Sequence, residues 1–197
     1  MTDRQAAHPI DPIFLDRWSP RAFDGSEIPE ADLMSMFEAA RWAPSSFNYQ
    51  PWRFLYARNG DAQWTRFLEL LMSMNQAWAK NASVLVYAIS DTLMDTGRPE
   101  GPNPSHSHSF DTGSAWMAMA LQATRLGYFT HGMTGVDFPA AKAALGVPDQ
   151  FRIEAAIAIG RRAPVETLPE RLQSREVPSA RRPIEASFFH GNFPAAA

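Results

Sequence analysis

The sequence predicts an α+β fold, and three observations predict it: an amphipathic helix in the first quarter of the chain, two apolar runs of strand length, and between them a helix that is apolar on nearly every side. With 197 residues, 45% of them hydrophobic, the chain is long enough for one well-buried core and short for two. A single domain over residues 1–197 is therefore expected. No internal repeat and no long block of like charges interrupts it.

From about Pro29 to Trp42, Leu33, Met36, Phe37 and Ala40 recur at helical spacing, with Pro29 at the start and Pro44 just past the end, which predicts an amphipathic helix. Arg53–Ala57 follows a proline and runs into Asn59-Gly60, the pattern of a strand leaving into a turn. Trp64–Met74 reads as helical. Ser83–Ile89 is a β-branched, almost continuous apolar run, expected for a central strand covered on both faces. From Asp91 to Ser109, Gly97, Pro99, Gly101, Pro102, Asn103 and Pro104 make a long loop, of the kind that often serves as a functional lid. Asp111–Leu126, closed by Gly127, is apolar almost all round and is expected to be buried on every side, which in a small domain suggests a subunit interface. Pro139–Leu145 is a short helix ended by Gly146, and Ile153–Ile159 a second buried strand ended by Gly160. Residues 163–197 are rich in Pro and Arg, with no core of their own, so this arm must lie along another surface or be disordered.

Composition excludes several classes of chemistry. The formal charge of −3 removes the general attraction that nucleic-acid and anionic-membrane binders carry. The absence of cysteine rules out disulfides, thiolate nucleophiles and Cys-ligated metal centres, and fits a reducing compartment. The N-terminal stretch lacks a charged region followed by an apolar run, and no segment approaches the roughly 20 apolar residues of a membrane helix, so a cytoplasmic location away from membranes is expected.

Two segments could carry chemistry. Arg17-Trp18-Ser19-Pro20-Arg21 places two guanidiniums and a hydroxyl at alternate positions, and in an extended segment all three reach one face and can converge on a phosphate. A solvated surface patch is the competing reading of the same spacing. Ala43–Trp52 collects Ser45, Ser46, Asn48 and Gln50 between the apolar Pro44, Phe47 and Trp52, which suits a planar heteroaromatic ring or an ordinary helix-to-strand loop equally.

Taken together, RWSPRAF and EAARWAPSSFNYQPWRF resemble the paired N-terminal signature of the nitroreductase family. The resemblance continues through Asn75-Gln76-Ala77-Trp78, DTGSAWMAMALQATRLG, the turn Gly132-Met133-Thr134-Gly135, the strand ending AAIAIGR and the basic tail around Arg181-Arg182-Pro183. It implies a mixed, mainly antiparallel central sheet flanked by helices. It further implies an intertwined homodimer with its C-terminal tail extended onto the partner, and FMN bound at the interface. NADH or NADPH would be the electron donor and a small electron-poor molecule the acceptor, reduced in a ping-pong two-electron cycle. Relatives with enone reduction or dehalogenation activity, and a non-catalytic flavin-binding module, are the alternatives.

The same resemblance implies the site, residue by residue. Arg17 and Ser19 would hold the FMN phosphate, with Trp18 between them, and Arg21 would lie near the ribityl chain and the pyrimidine edge. A cation there favours the reduced ring, where negative charge develops. Asn75 would meet the uracil-like edge, and Thr134 and Gly135 would bring a backbone N–H to the ring nitrogen that accepts hydride. Pro44, Ser45, Ser46 and Asn48 would reach the flavin from the second subunit, and Arg181, with Arg182 as alternate, would close over the phosphate. No side chain is expected to act as a general acid or base, and no metal is expected. His106 and His108 are expected to face solvent or the substrate channel, and His131 to be structural.

Overall fold

The computed structural model describes residues 4–95, 97, 99 and 101–194. Seven helices occur in order: α1 (Ile13–Asp16), α2 (Glu30–Arg41), α3 (Trp64–Glu69), α4 (Ser73–Ala79), α5 (His108–Arg125), α6 (Phe138–Ala144) and α7 (Glu170–Gln173). The strands are β1 (Trp52–Arg58), β2 (Val84–Asp91), β3 (Leu93–Met94), β4 (Asn103–Pro104), β5 (Phe129–Met133) and β6 (Phe151–Gly160). Four of them form one sheet in the order β1-β2-β6-β5, and β3 pairs with β4 separately. All three ladders of the main sheet are antiparallel, so within this chain the sheet is not the mixed one expected.

Strand periodicity divides the core into two layers. Leu85, Tyr87 and Ile89 of β2 point to one face, with Phe67, Trp78, Ala141 and Leu172. Val84, Val86 and Ala88 point to the other, with Leu33 and Met36 of α2 and Ala115, Met119 and Ala123 of α5. Every residue of β2 is buried, as a central strand requires. The β2–β6 register shifts between Ala88 and Ile89, which pair with Ala155 and Ile153, so Glu154 is the extra residue of a bulge. The bulge changes the parity of β6: Ile153 and Ala156, one odd and one even, reach the same layer.

Five elements differ from the sequence reading. The helix expected over Trp64–Met74 breaks into α3 and α4, because Leu71 bridges Val136 and the Met72 N–H donates to the Gly135 carbonyl at 2.9 Å. A tertiary hydrogen bond there replaces the helical one, and it puts Asn75 inside α4 rather than in a loop. Gly132 and Met133 belong to β5, so the turn begins at Thr134. Helix α5 starts at His108 and is buried along one face only, leaving Phe110 and Met117 exposed. Leu168 and Leu172 are buried in the first core layer, so the arm packs on its own chain as far as the buried Glu176, whereas residues 179–193 are all exposed. The segment read as a long loop contains the β3–β4 pair, and its Thr96, Arg98 and Glu100 lie outside the described residues. Among the described residues no helix is long and apolar enough to cross a membrane.

Candidate functional site

The segment from Arg17 to Arg21 is extended and alternates as its spacing predicts. Trp18 and Pro20 are buried, while Arg17, Ser19 and Arg21 are half-buried on the opposite side. Trp18 packs edge-on against Phe129 at 6.4 Å between ring centres, and Arg162 lies over the indole at 5.0 Å. Its body thus anchors the segment to β5, and both flanking arginines face the other way. Arg17 Nη1 reaches Ser19 Oγ at 3.4 Å. From the far end of the chain, Glu176 accepts the Arg21 N–H at 2.8 Å and the Ala22 N–H at 2.9 Å, which fixes the backbone beneath Arg21.

These residues wall a cavity of about 350 Å³, lined by Arg17, Trp18, Ser19 and Arg21 together with His131, Arg175 and Arg181, and with Arg4 from the N-terminal segment. Among the described residues, no carboxylate comes within ion-pair distance of any of its five guanidiniums. Burial lowers the pKa of Arg17, and Arg4 and Arg181 lower it further; burial likewise lowers that of Arg21, and Arg175 adds to it. Arginine stays protonated, and Glu176 and Asp16 offset only part of the charge on Arg21 and Arg4, so the remaining repulsion makes the cavity a receptor for an anion. A larger hollow of about 660 Å³ lies between α6 and the start of β6, but its charges are already paired, Lys142 with Asp149 at 3.0 Å and Arg152 with Glu154 at 2.7 Å.

His131, expected to be structural, lines the anion cavity. Its Nδ1 lies 2.9 Å from the Pro20 carbonyl and its ring 4.6 Å from that of Trp78. Burial pulls its pKa down to about 4; the Pro20 carbonyl opposes this, and the Arg21 charge reinforces it. The ring is therefore neutral near pH 7, with Nδ1–H donating to Pro20. Sequence reasoning also missed Glu176, Arg175 and Arg4, whose partners are remote in the chain.

Three residues beyond His131 along β5, about 10 Å at strand rise, Thr134 and Gly135 turn toward α4. Asn75 Nδ2 donates to the Gly135 carbonyl at 3.1 Å, and a Cβ on Gly135 would lie 2.4 Å from that nitrogen, so only glycine permits the approach. The Asn75 oxygen is left to accept.

Pro44, Ser45, Ser46 and Asn48 do not line the arginine cavity of their own chain. They sit at the start of α5, where the buried Asp111 accepts the Ser46 N–H at 3.2 Å and the Ser107 hydroxyl at 2.8 Å. Phe47, Asn48 and Gln50 all have φ of 53°, a left-handed conformation uncommon outside glycine, and Phe47 is 87% exposed. Arg181 and Arg182 are both exposed, but only Arg181 lines the cavity. His106 is exposed, but His108 does not face solvent: its Nδ1 lies 2.8 Å from Ser90 Oγ and 3.5 Å from Glu154. Burial pushes the Glu154 carboxyl up, but hydrogen bonds from Arg152, Ser90 and Ser109 outweigh it and hold it below the usual range.

Comparison with known proteins agrees with this architecture. The nitroreductase family matches residues 15–77 and 63–161. The crystal structure of an oxidoreductase containing FMN is 49% identical, covering 98% of both chains with a TM-score of 0.94. A nitroreductase family protein from Clostridium difficile, at 19% identity, covers 94% of this chain and 100% of its own with a TM-score of 0.72, and bears on the fold alone. A Streptomyces coelicolor protein carrying the name NADH dehydrogenase/NAD(P)H nitroreductase is 35% identical over 77 residues, 39% of this chain and 37% of that protein. The chain thus matches little more than a third of that relative's length. The fold and the family match place the chain in one class of protein, and its basic cavity is suited to an anion. The chain belongs to the nitroreductase family.

Proposed function

We propose that the chain is an FMN-dependent oxidoreductase that draws electrons from NADH or NADPH and passes them to an electron-poor acceptor such as a nitroaromatic or a quinone. The observation that carries the reading is the convergence of Arg17, Ser19, Arg21 and Arg181 on one cavity whose guanidiniums form no ion pair with a carboxylate among the described residues. The donor set fits a phosphate monoester: fork-shaped guanidiniums can each give two parallel hydrogen bonds, and the Ser19 hydroxyl adds another. When bound, FMN supplies the hydride chemistry, accepting two electrons from the nicotinamide and releasing them to the acceptor in the same pocket.

The residues of the chain bind, orient and polarise. Arg17, Ser19 and Arg181 hold the phosphate, and Arg21 presents a cation where negative charge accumulates on reduction. Asn75, held by Gly135, offers its oxygen to the ring edge, and the Thr134–Gly135 backbone would turn an N–H toward the ring, with glycine at 135 leaving room for Asn75. Pro44, Ser45, Ser46 and Asn48 complete the pocket from a second copy of the chain, with the tail beyond Arg181 extended onto it. In favour of that pairing, Trp42, Phe47 and Phe110 on one part of the surface and Phe188 and Phe193 on the tail are each at least 74% exposed. Within this scheme the chain is one domain, with an arm that begins after Glu176.

The experiment is a titration of the purified protein with FMN, followed by addition of NADH or NADPH without oxygen. Uptake of flavin and bleaching of its absorbance are expected. A protein that takes up no FMN overturns the proposal, and one that binds FMN but turns over no acceptor faster than free FMN is a binding module instead.

A further inference from the structure

We infer that Arg4 is a phosphate ligand of this cavity, closing over the bound anion together with Arg181, so that the two ends of the chain form one clamp. The inference rests on the FMN reading above. Arg4 lies in the segment before α1, and its Nη1 donates to the carbonyls of Leu15 and, at 3.1 Å, of Arg17. Those bonds hold the guanidinium at the cavity wall, next to the residue that begins the basic triad. Both use one nitrogen. Nη2 and Nε have no hydrogen-bond partner among the described residues, so most of the five donors of the group remain for a ligand.

Charge makes the second half of the argument. Arg181 arrives from the other end of the chain, and its Nη1 is held by the Ser179 and Ala180 carbonyls at 3.3 and 3.0 Å. Burial lowers the pKa of Arg4 and the charge of Arg181 lowers it further, with Asp16 opposing. Two terminal segments therefore bring like charges together over one cavity, an arrangement favourable only with an anion between them. A dianionic phosphate turns that repulsion into two charge-assisted contacts. The clamp thereby couples order in both chain ends to the presence of the phosphate, and the ring of the flavin plays no part in it.

The test measures dissociation constants for FMN and for riboflavin, which lacks the phosphate, in the wild type, Arg4→Ala and Arg4→Gln. Gln keeps an N–H donor for the two carbonyls while removing the charge. FMN affinity is expected to fall about tenfold or more in both variants, with riboflavin affinity changed less than about twofold. Unchanged FMN affinity in both variants overturns the inference, and so does an equal loss for the two flavins, which would make Arg4 a structural tie. Should the wild type take up neither flavin, the FMN reading fails by itself. Inorganic phosphate then decides for Arg4: a rise in Tm confined to the wild type supports it as an anion ligand, and an equal rise in Arg4→Gln overturns it.

Discussion

Glu176 and Arg21 are separated by 155 positions in sequence, yet both carboxylate oxygens of Glu176 accept the Arg21 N–H, at 2.8 and 3.0 Å, and one of them also takes the Ala22 N–H at 2.9 Å. The buried carboxylate forms no ion pair with a guanidinium here, although its charge partly offsets the burial of Arg21. It satisfies the backbone donors of an extended segment that is in no sheet, and so holds the basic triad in register. Glu176→Ala leaves those donors unpaired and should lower unfolding free energy by about 2 to 3 kcal/mol in urea titrations. Glu176→Gln, which retains one acceptor, should lose about half as much. An unchanged midpoint in the alanine variant would show the contact to be dispensable.

Gly135→Ala tests close approach rather than backbone conformation. The added methyl would stand 2.4 Å from Asn75 Nδ2, so the amide must swing away and give up its hydrogen bond to the 135 carbonyl. A loss of about 1 to 3 kcal/mol is expected, together with weaker flavin binding. Wild-type flavin affinity would place the ring elsewhere.

His131 ties stability to pH. Its folded pKa, about 4, lies below the ordinary value of 6.5, so between those values the unfolded chain binds a proton that the folded chain refuses. Stability is therefore complete above about pH 6.5, falls as the pH drops toward 4, and loses about 2 kcal/mol over that window after allowance for the part of the ring that reaches solvent. Tm measured from pH 7.5 to 4.5 should show the decline. In His131→Gln the same window should be flatter; an identical profile would assign the decline to other groups.

Asp111 restrains the loop of left-handed residues. With Asp111→Ala, the Ser46 N–H and the Ser107 hydroxyl lose their acceptor, and Phe47, Asn48 and Gln50 are free to leave φ of 53°. Chymotrypsin should then cut after the exposed Phe47 on the order of tenfold faster at a protease concentration that leaves the wild type intact. Equal rates would mean that the loop holds its own shape.

What could be read from the sequence is what depends on local repetition. Leu33, Met36 and Ala40 repeat at helical spacing and form α2; the apolar run at Ser83–Ile89 is the central strand; Arg17, Ser19 and Arg21 alternate and do share a face. What could not be read depends on meetings between distant residues. The break at Leu70–Met72 follows from bonds to Val136 and Gly135, which no local pattern encodes. His108 read as a loop residue because its partners lie on other strands, Ser90 near the end of β2 and Glu154 at the bulge of β6. Arg4 and Arg175 lie outside any motif, and only the folding of both chain ends over one cavity sets them beside Arg17.

Residues 179–193, exposed throughout, carry Arg181 and the aromatic side chains of the tail. If a second copy of the chain orders such a segment, as proposed above, the free energy comes from association, and cofactor retention and dimerisation would be linked equilibria. Apparent flavin affinity should then depend on the concentration of the protein itself. On dilution alone, at constant flavin-to-protein ratio, pH and salt, flavin should pass from the protein into solution more steeply than one-to-one dissociation predicts, so that protein separated by ultrafiltration is colourless while the filtrate is yellow.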